Sequence, residues 1–228
     1  LQASYFFARK IQTMLSARSI QKKYGNLHVL KGVNMDVKKG EVVAIVGASG
    51  AGKSTLLHVL GTLDVPDEGS LTINHQDVFG QSPKQLADFR NRHIGFVFQF
   101  HNLLPEFTAL ENVMLPALIA GTEKRLAVKR SEELLVLLGL QERLDHKPAA
   151  LSGGEQQRAA VARALVNGPD IIFADEPSGN LDSKNAADLH RLFFTLRDQL
   201  GHTFVMVTHN LEFAAMADRQ VEIRDGVI

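Results

Sequence analysis

The stretch GASGAGKST, Gly47 to Thr55, lies between the apolar run VVAIV and the segment LLHVL. It fits the spacing G-x-x-x-x-G-K-[ST], and a strand before it with a helix after it is the context that gives the spacing meaning. Glycines let backbone N–H groups turn inward around phosphate oxygens, and the start of a helix adds positive potential there. On this reading Gly47, Ala48, Ser49, Gly50, Ala51 and Gly52 form the cradle for ATP. Lys53 reaches the β- and γ-phosphates, Ser54 ligates Mg²⁺, and Thr55 completes the loop.

The flanking sequence extends this unit into an α/β core. Upstream, LSARSIQ, a turn at Tyr24-Gly25-Asn26 and VLKGVNMDV alternate as antiparallel strands do, whereas EVVAIVG reads as a buried strand. Downstream come a helix from Lys53 to about Leu60 and strands in EGSLTIN and IGFVFQ. Between Thr108 and Asn167 the period becomes helical, in ALENVMLPALIAG, KRLAVKRSEELLVLLGL and GEQQRAAVARALVNG. The core resumes with DIIFADEP, a helix near Lys184 to Leu200, TFVMVTH, a short helix from Leu211 and a last strand in VEIRDG. The expected fold class is α/β: a mainly parallel sheet with an antiparallel β flank and an inserted helical subdomain at about 100–167. Residues 14–228 read as a single domain. Met14 opens the first strand-like run, so residues 1–13 read as an extension outside the fold.

Composition bounds the rest. Hydrophobic residues make up 45% and charged residues 22%, and Lys+Arg 25 balances Asp+Glu 25, so charge gives no argument for a nucleic-acid partner. Cysteine is absent, which removes disulfides and thiolate metal sites. No apolar run reaches the ~18 residues of a membrane span, so a membrane role would come through a partner.

In IIFADEP an apolar strand delivers two carboxylates at its end. Asp175 is placed for the Mg²⁺ shell and Glu176 as the base that polarises the attacking water. A second glycine-bearing helix start, LSGGEQQR from Leu151, poses a question. Ser152 and Glu155 fit the S-x-x-E capping box, which explains those two but not the adjacent Gly153 and Gly154. Two glycines weaken a first turn unless something approaches the backbone closely. A γ-phosphate held by a second copy of the chain would do so, which predicts two chains sharing two nucleotides.

LSGGEQQR resembles the signature motif of ATP-binding cassette (ABC) proteins, and with the phosphate loop and IIFADEP it makes a three-part match covering the chain from Leu15 onward. The resemblance implies an ABC ATPase fold, an ATPase coupled to transport, and roles at matching positions. Tyr24 would stack on adenine, and Gln99 would touch Mg²⁺ and the attacking water. Asp182 in SGNLD would cross a dimer seam beside Ser152, Gly153 and Gly154, and His209 would contact the γ-phosphate. Ala48, Ala51, Ser178 and Asn210 depart from the usual pattern without removing a catalytic group. Within the family, FQFHNLLPEFTALENVMLP is similar to the lipoprotein-releasing group. That likeness implies an ATP-dependent homodimer at the cytoplasmic face of the bacterial inner membrane, working with integral membrane permease subunits (LolC/LolE-like).

Three other readings compete. DNA-repair and chromosome ATPases carry the signature motif but insert a long coiled coil, and the roughly 50 residues between Gln99 and Leu151 show no sustained heptads. A small-molecule kinase leaves LSGGEQQR unexplained. An FtsE-like or MacB-like subunit would drive mechanotransmission or export of another substrate instead. Finally, Phe100, Leu103, Leu104, Pro105 and Phe107 crowd one stretch with apolar side chains, which predicts that they line a groove for a membrane partner.

Overall fold

The computed structural model describes residues 12–228. The elements run β1 Thr13–Tyr24, β2 Leu27–Lys38, β3 Val42–Val46, α1 Lys53–Leu60, β4 Glu68–Ile73, β5 Gln76–Asp77, α2 Pro83–His93, β6 Ile94–Phe98 and α3 Ala109–Ile119. They continue with α4 Lys124–Leu137, α5 Gly153–Leu165, β7 Ile171–Asp175, α6 Ser183–Leu200, β8 Thr203–Val207, α7 Leu211–Met216 and β9 Arg219–Glu222. Of the stretch 1–13 read as an extension, residues 1–11 lie outside the described residues. Thr13 already belongs to β1, opposite Lys38.

The strands form two sheets. β2-β1-β4-β5 is antiparallel, and β6-β7-β8-β3-β9 is parallel throughout. The continuous apolar runs of the parallel strands follow from burial on both faces. Val43, Ile45, Ile171, Phe173, Val205 and Val207 pack into one core with α1 and the antiparallel sheet. Their neighbours Val42, Ala44, Ile172, Ala174, Phe204 and Met206 pack into the other, with α3, α5, α6 and α7. A one-residue change of register would exchange the two sets.

Helix α2 was not anticipated from the pattern, because only Phe89 on it is buried. Its start is nevertheless written in SPKQ: Ser82 and Gln85 form a reciprocal capping box and Pro83 occupies the first turn. Buried Asn112 of α3 folds the preceding loop through its carboxamide, which donates to the carbonyls of Leu104, Phe107 and Thr108 and accepts from the N–H of Leu104.

Candidate nucleotide site

Sheet register assembles the site. Phe98, Asp175, Val207 and Ile45 stand side by side on β6, β7, β8 and β3, so all four strands end at one level. In a parallel sheet the loops leaving that edge are the place for a ligand. There a cavity of about 410 Å³ is lined by Tyr24, Leu27, Val29, the loop residues Ser49, Gly50 and Gly52, then Lys53, Ser54, Thr55, Glu176 and His209.

The phosphate loop needs its glycines for two reasons. Gly47, Gly50 and Gly52 have φ of 149°, 77° and 104°, where side chains are disfavoured. A Cβ at Gly47 would also stand 2.3 Å from the carbonyl oxygen of Ile223. Helix α1 has no side-chain cap and no acidic residue in its first turn. Its leading N–H groups and dipole are thus presented to an anion. Lys53 is buried, and its ammonium donates to the carbonyls of Gly47 at 3.0 Å and Ala48 at 2.8 Å.

The acidic pair faces this loop. The Ser54 hydroxyl donates to Asp175 at 3.1 Å. Glu176 has φ of 47°, an uncommon left-handed conformation for a side-chain-bearing residue. Its Oε2 accepts from the backbone N–H of His209 at 3.1 Å. Oε1 lies 3.1 Å from His209 Nε2 but out of hydrogen-bond alignment, so this buried oxygen lacks a hydrogen-bond partner. A buried carboxylate oxygen left in this way is suited to hold a water. The loop carrying His209 is held by Asn210, which caps α7 by accepting from the N–H of Phe213 and donates its own N–H to the Thr208 hydroxyl.

Ser54 and Asp175 supply two adjacent hard oxygen donors, the kind of partial shell that Mg²⁺ shares with phosphates and water. Among the described residues no group of three or more His, Cys, Asp or Glu could hold a metal alone. His58, which sequence reasoning missed, lies 3.5 Å from Asp175, and the hydrogen bond to that carboxylate raises its pKa.

Other expected residues stand outside the cavity walls. Gln99 turns its side-chain amide to Asn180. Asp182 caps α6, accepting from the N–H of Asn185. Ser152 and Glu155 form the reciprocal capping box, and Glu155 is lowered to about 2 by the Ser152 hydrogen bonds and then by Arg143.

Gly154 also has a close neighbour within its own chain. A Cβ there would stand 2.4 Å from the side-chain oxygen of Asn185, so that side chain would have to give way. Gly153 is different, since its nearest neighbour would be Leu181 at 3.8 Å. The apolar stretch after Gln99 lies largely at the surface. Phe100, Leu104 and Phe107 are exposed, Leu103 packs into the helical core, and none of the five lines the neighbouring cavity of about 420 Å³. That cavity is walled by Leu63, Ile94, Phe96, Phe98, Pro116 and Ile119, with Arg90 and Arg163 supplying charge.

A family model described as ABC transporter matches residues 30–179. The chain belongs to the ABC transporter family. Among its relatives in this family, the protein of Cytophaga hutchinsonii named lipoprotein-releasing system ATP-binding protein LolD is 58% identical, across 96% of this chain and 100% of the relative. The protein of the same name from Bacteroides thetaiotaomicron is 57% identical across 94% and 99%. Among solved structures, the dimeric post-hydrolysis state of the ATP-binding cassette MJ0796 bound to ADP and Pi superposes with a TM-score of 0.86 at 40% identity, covering 94% of this chain and 96% of that one. The ABC ATPase fold read from the sequence is the fold observed.

Proposed function

We propose that this chain is the ATP-hydrolysing subunit of a membrane transporter that drives release of lipoproteins from the bacterial inner membrane. The observation that carries it is the convergence of Lys53, Ser54, Asp175, Glu176 and His209 at one strand edge, in a chain that shares more than half its residues with relatives named for lipoprotein release. Those names favour this reading over an FtsE-like or MacB-like task.

In the mechanism, Tyr24 stacks on adenine while Leu27 and Val29 pack beside it. The phosphate loop, Lys53 and the start of α1 hold the phosphates. Ser54 and Asp175, joined by Gln99, would hold Mg²⁺, which would supply neutralisation of charge on the phosphate oxygens. Glu176 Oε1 orients and deprotonates the attacking water, and His209 steadies Glu176 and meets the γ-phosphate. Ser152, Gly153 and Gly154 of a second copy close over that phosphate, with Asp182 at the seam. No helix among the described residues is long and apolar enough to cross a membrane. In this reading the chain works peripherally, at the cytoplasmic face, against LolC/LolE-like permease subunits, and the apolar cavity flanked by Arg90 and Arg163 receives them.

The test is to purify the chain with whatever membrane proteins accompany it and to measure phosphate release. Stimulated release with permease subunits of the lipoprotein-releasing kind is the expected result. Co-purification with cell-wall or efflux machinery instead would overturn the assignment of substrate.

A further inference from the structure

Asn180 belongs to the loop Ser178–Asp182, which is fixed at both ends. The Ser178 hydroxyl lies 2.9 Å from His190 Nε2, and Asp182 caps α6. In the middle it is joined to a different strand's loop by a reciprocal pair. Gln99 Nε2 donates to Asn180 Oδ1 at 2.9 Å, and Asn180 Nδ2 donates to the carbonyl of Gln99 at 3.2 Å. Between them Gly179 leaves no room, since a Cβ there would stand 2.9 Å from Gln99 Nε2 and 3.0 Å from its Cδ. The same turn is tied to the acidic pair, because the Gly179 N–H donates to the carbonyl of Glu176 at 2.9 Å.

We propose that Asn180 is a positioning residue for Gln99, and that the Gln99–Asn180 pair makes the loop after β6 and the Glu176 loop move as one. A carboxamide has a donor end and an acceptor end. With Nε2 committed to Asn180, Gln99 presents its oxygen to the other side, the end able to accept from a water or to ligate a cation. The second bond, to the Gln99 backbone, ties the chain itself as well as the side chain. A displacement of the loop after β6 therefore reaches the backbone of Glu176 through Asn180 and Gly179 without passing through the phosphate loop. The consequence for turnover rests on the proposed ATPase function, but the pairing does not.

Two measurements on the described chain separate them. In the first, nitrogen-15 spectra identify the Gln99 side-chain amide by its loss in Gln99→Leu, and hydrogen exchange follows amides 176–182 without nucleotide. Asn180→Ala and Gly179→Ala should each shift the Gln99 amide signal and raise exchange in 176–182, while thermal melting of Asn180→Ala stays that of the wild type. An unmoved amide signal in both variants would overturn the pairing whatever the activity proves to be. In the second, Asn180→Ala should lower kcat by about tenfold or more, as misplacement of an orienting group does, with ATP affinity changed less than about twofold. The double variant Asn180→Ala, Gln99→Leu should be no slower than the worse single variant, since residues acting as a unit are not additive. Multiplying effects, or an unchanged kcat in Asn180→Ala, would overturn the coupling.

Discussion

The two glycine-bearing helix starts differ in what surrounds them. At α1 the chain supplies its own opposing groups: Asp175 meets Ser54, and Glu176 and His209 share the cavity with Lys53. At α5 the chain satisfies its own polar groups, and the side chains beside the glycines are Asn185 and Leu181, with no carboxylate among them. Ser152 and Glu155 cap each other, Gly154 is filled by Asn185, and exposed Gly153 faces outward. On the proposed function, one helix start is a site within the molecule and the other a surface that a second copy completes. On that reading the difference is why a single chain carries two of them.

The largest effect that would sharpen this comparison is at Glu176. Glu176→Gln should lower phosphate release by about 10² or more, the range for loss of a general base, while ATP binding persists in an equilibrium assay. Wild-type turnover in this variant would remove Glu176 from the chemistry.

A stability effect comes next. Burial lowers the pKa of His190 to about 4, where it stacks on Phe213 at 3.7 Å beside Ser178. The unfolded chain takes up this proton near pH 6.5 and the folded chain only near 4. Stability is thus fully present above 6.5 and is lost as pH falls through that window, by on the order of 3 kcal/mol. Denaturant melts between pH 4 and 7 should show this slope, and His190→Asn should flatten it.

The glycine pair gives the sharper contrast. Gly154→Ala should destabilise the fold by about 1 to 3 kcal/mol through overpacking, and Asn185→Ala should relieve it. Gly153→Ala should leave melting near the wild-type value yet weaken ATP-driven association. Equal behaviour of the two variants would mean that the signature backbone is not approached by a partner.

Tyr24 carries the smallest effect. Base stacking is worth roughly 1 to 3 kcal/mol, so Tyr24→Ala should raise the ATP Kd several-fold or more. The pattern alone suggests that Tyr24→Phe is silent. Tyr24, however, donates its hydroxyl to Asp64 at 2.5 Å, and Asp64 also accepts from Lys22. Losing that anchor should raise the Kd about two- to fivefold, the cost of one net hydrogen bond of ~0.5–1 kcal/mol.

Much of this was legible in the sequence because each piece was local. The phosphate loop, the buried strand ending in Asp175-Glu176 and the Ser152 cap each depend on a few consecutive residues. What escaped depends on contacts between distant segments. The pattern does not state the strand order β6-β7-β8-β3-β9, the fit of Asn185 against Gly154, or the pairing of Asn180 with Gln99. Apolar composition alone likewise does not say which side chains wall a cavity and which stay exposed, as Phe100, Leu104 and Phe107 do. Helix α2 escaped because its face is mostly polar, although its capping box was readable.

The central claim is that Ser152 of one copy closes the site that Lys53 opens in another. Light scattering of the Glu176→Gln chain during gel filtration, with Mg-ATP, with Mg-ADP and without nucleotide, tests it most directly. The account predicts twice the chain mass with Mg-ATP alone, and a return to single-chain mass when Ser152→Glu is added. A Glu176→Gln protein that stays monomeric in saturating Mg-ATP, or a dimer indifferent to Ser152→Glu, would contradict it.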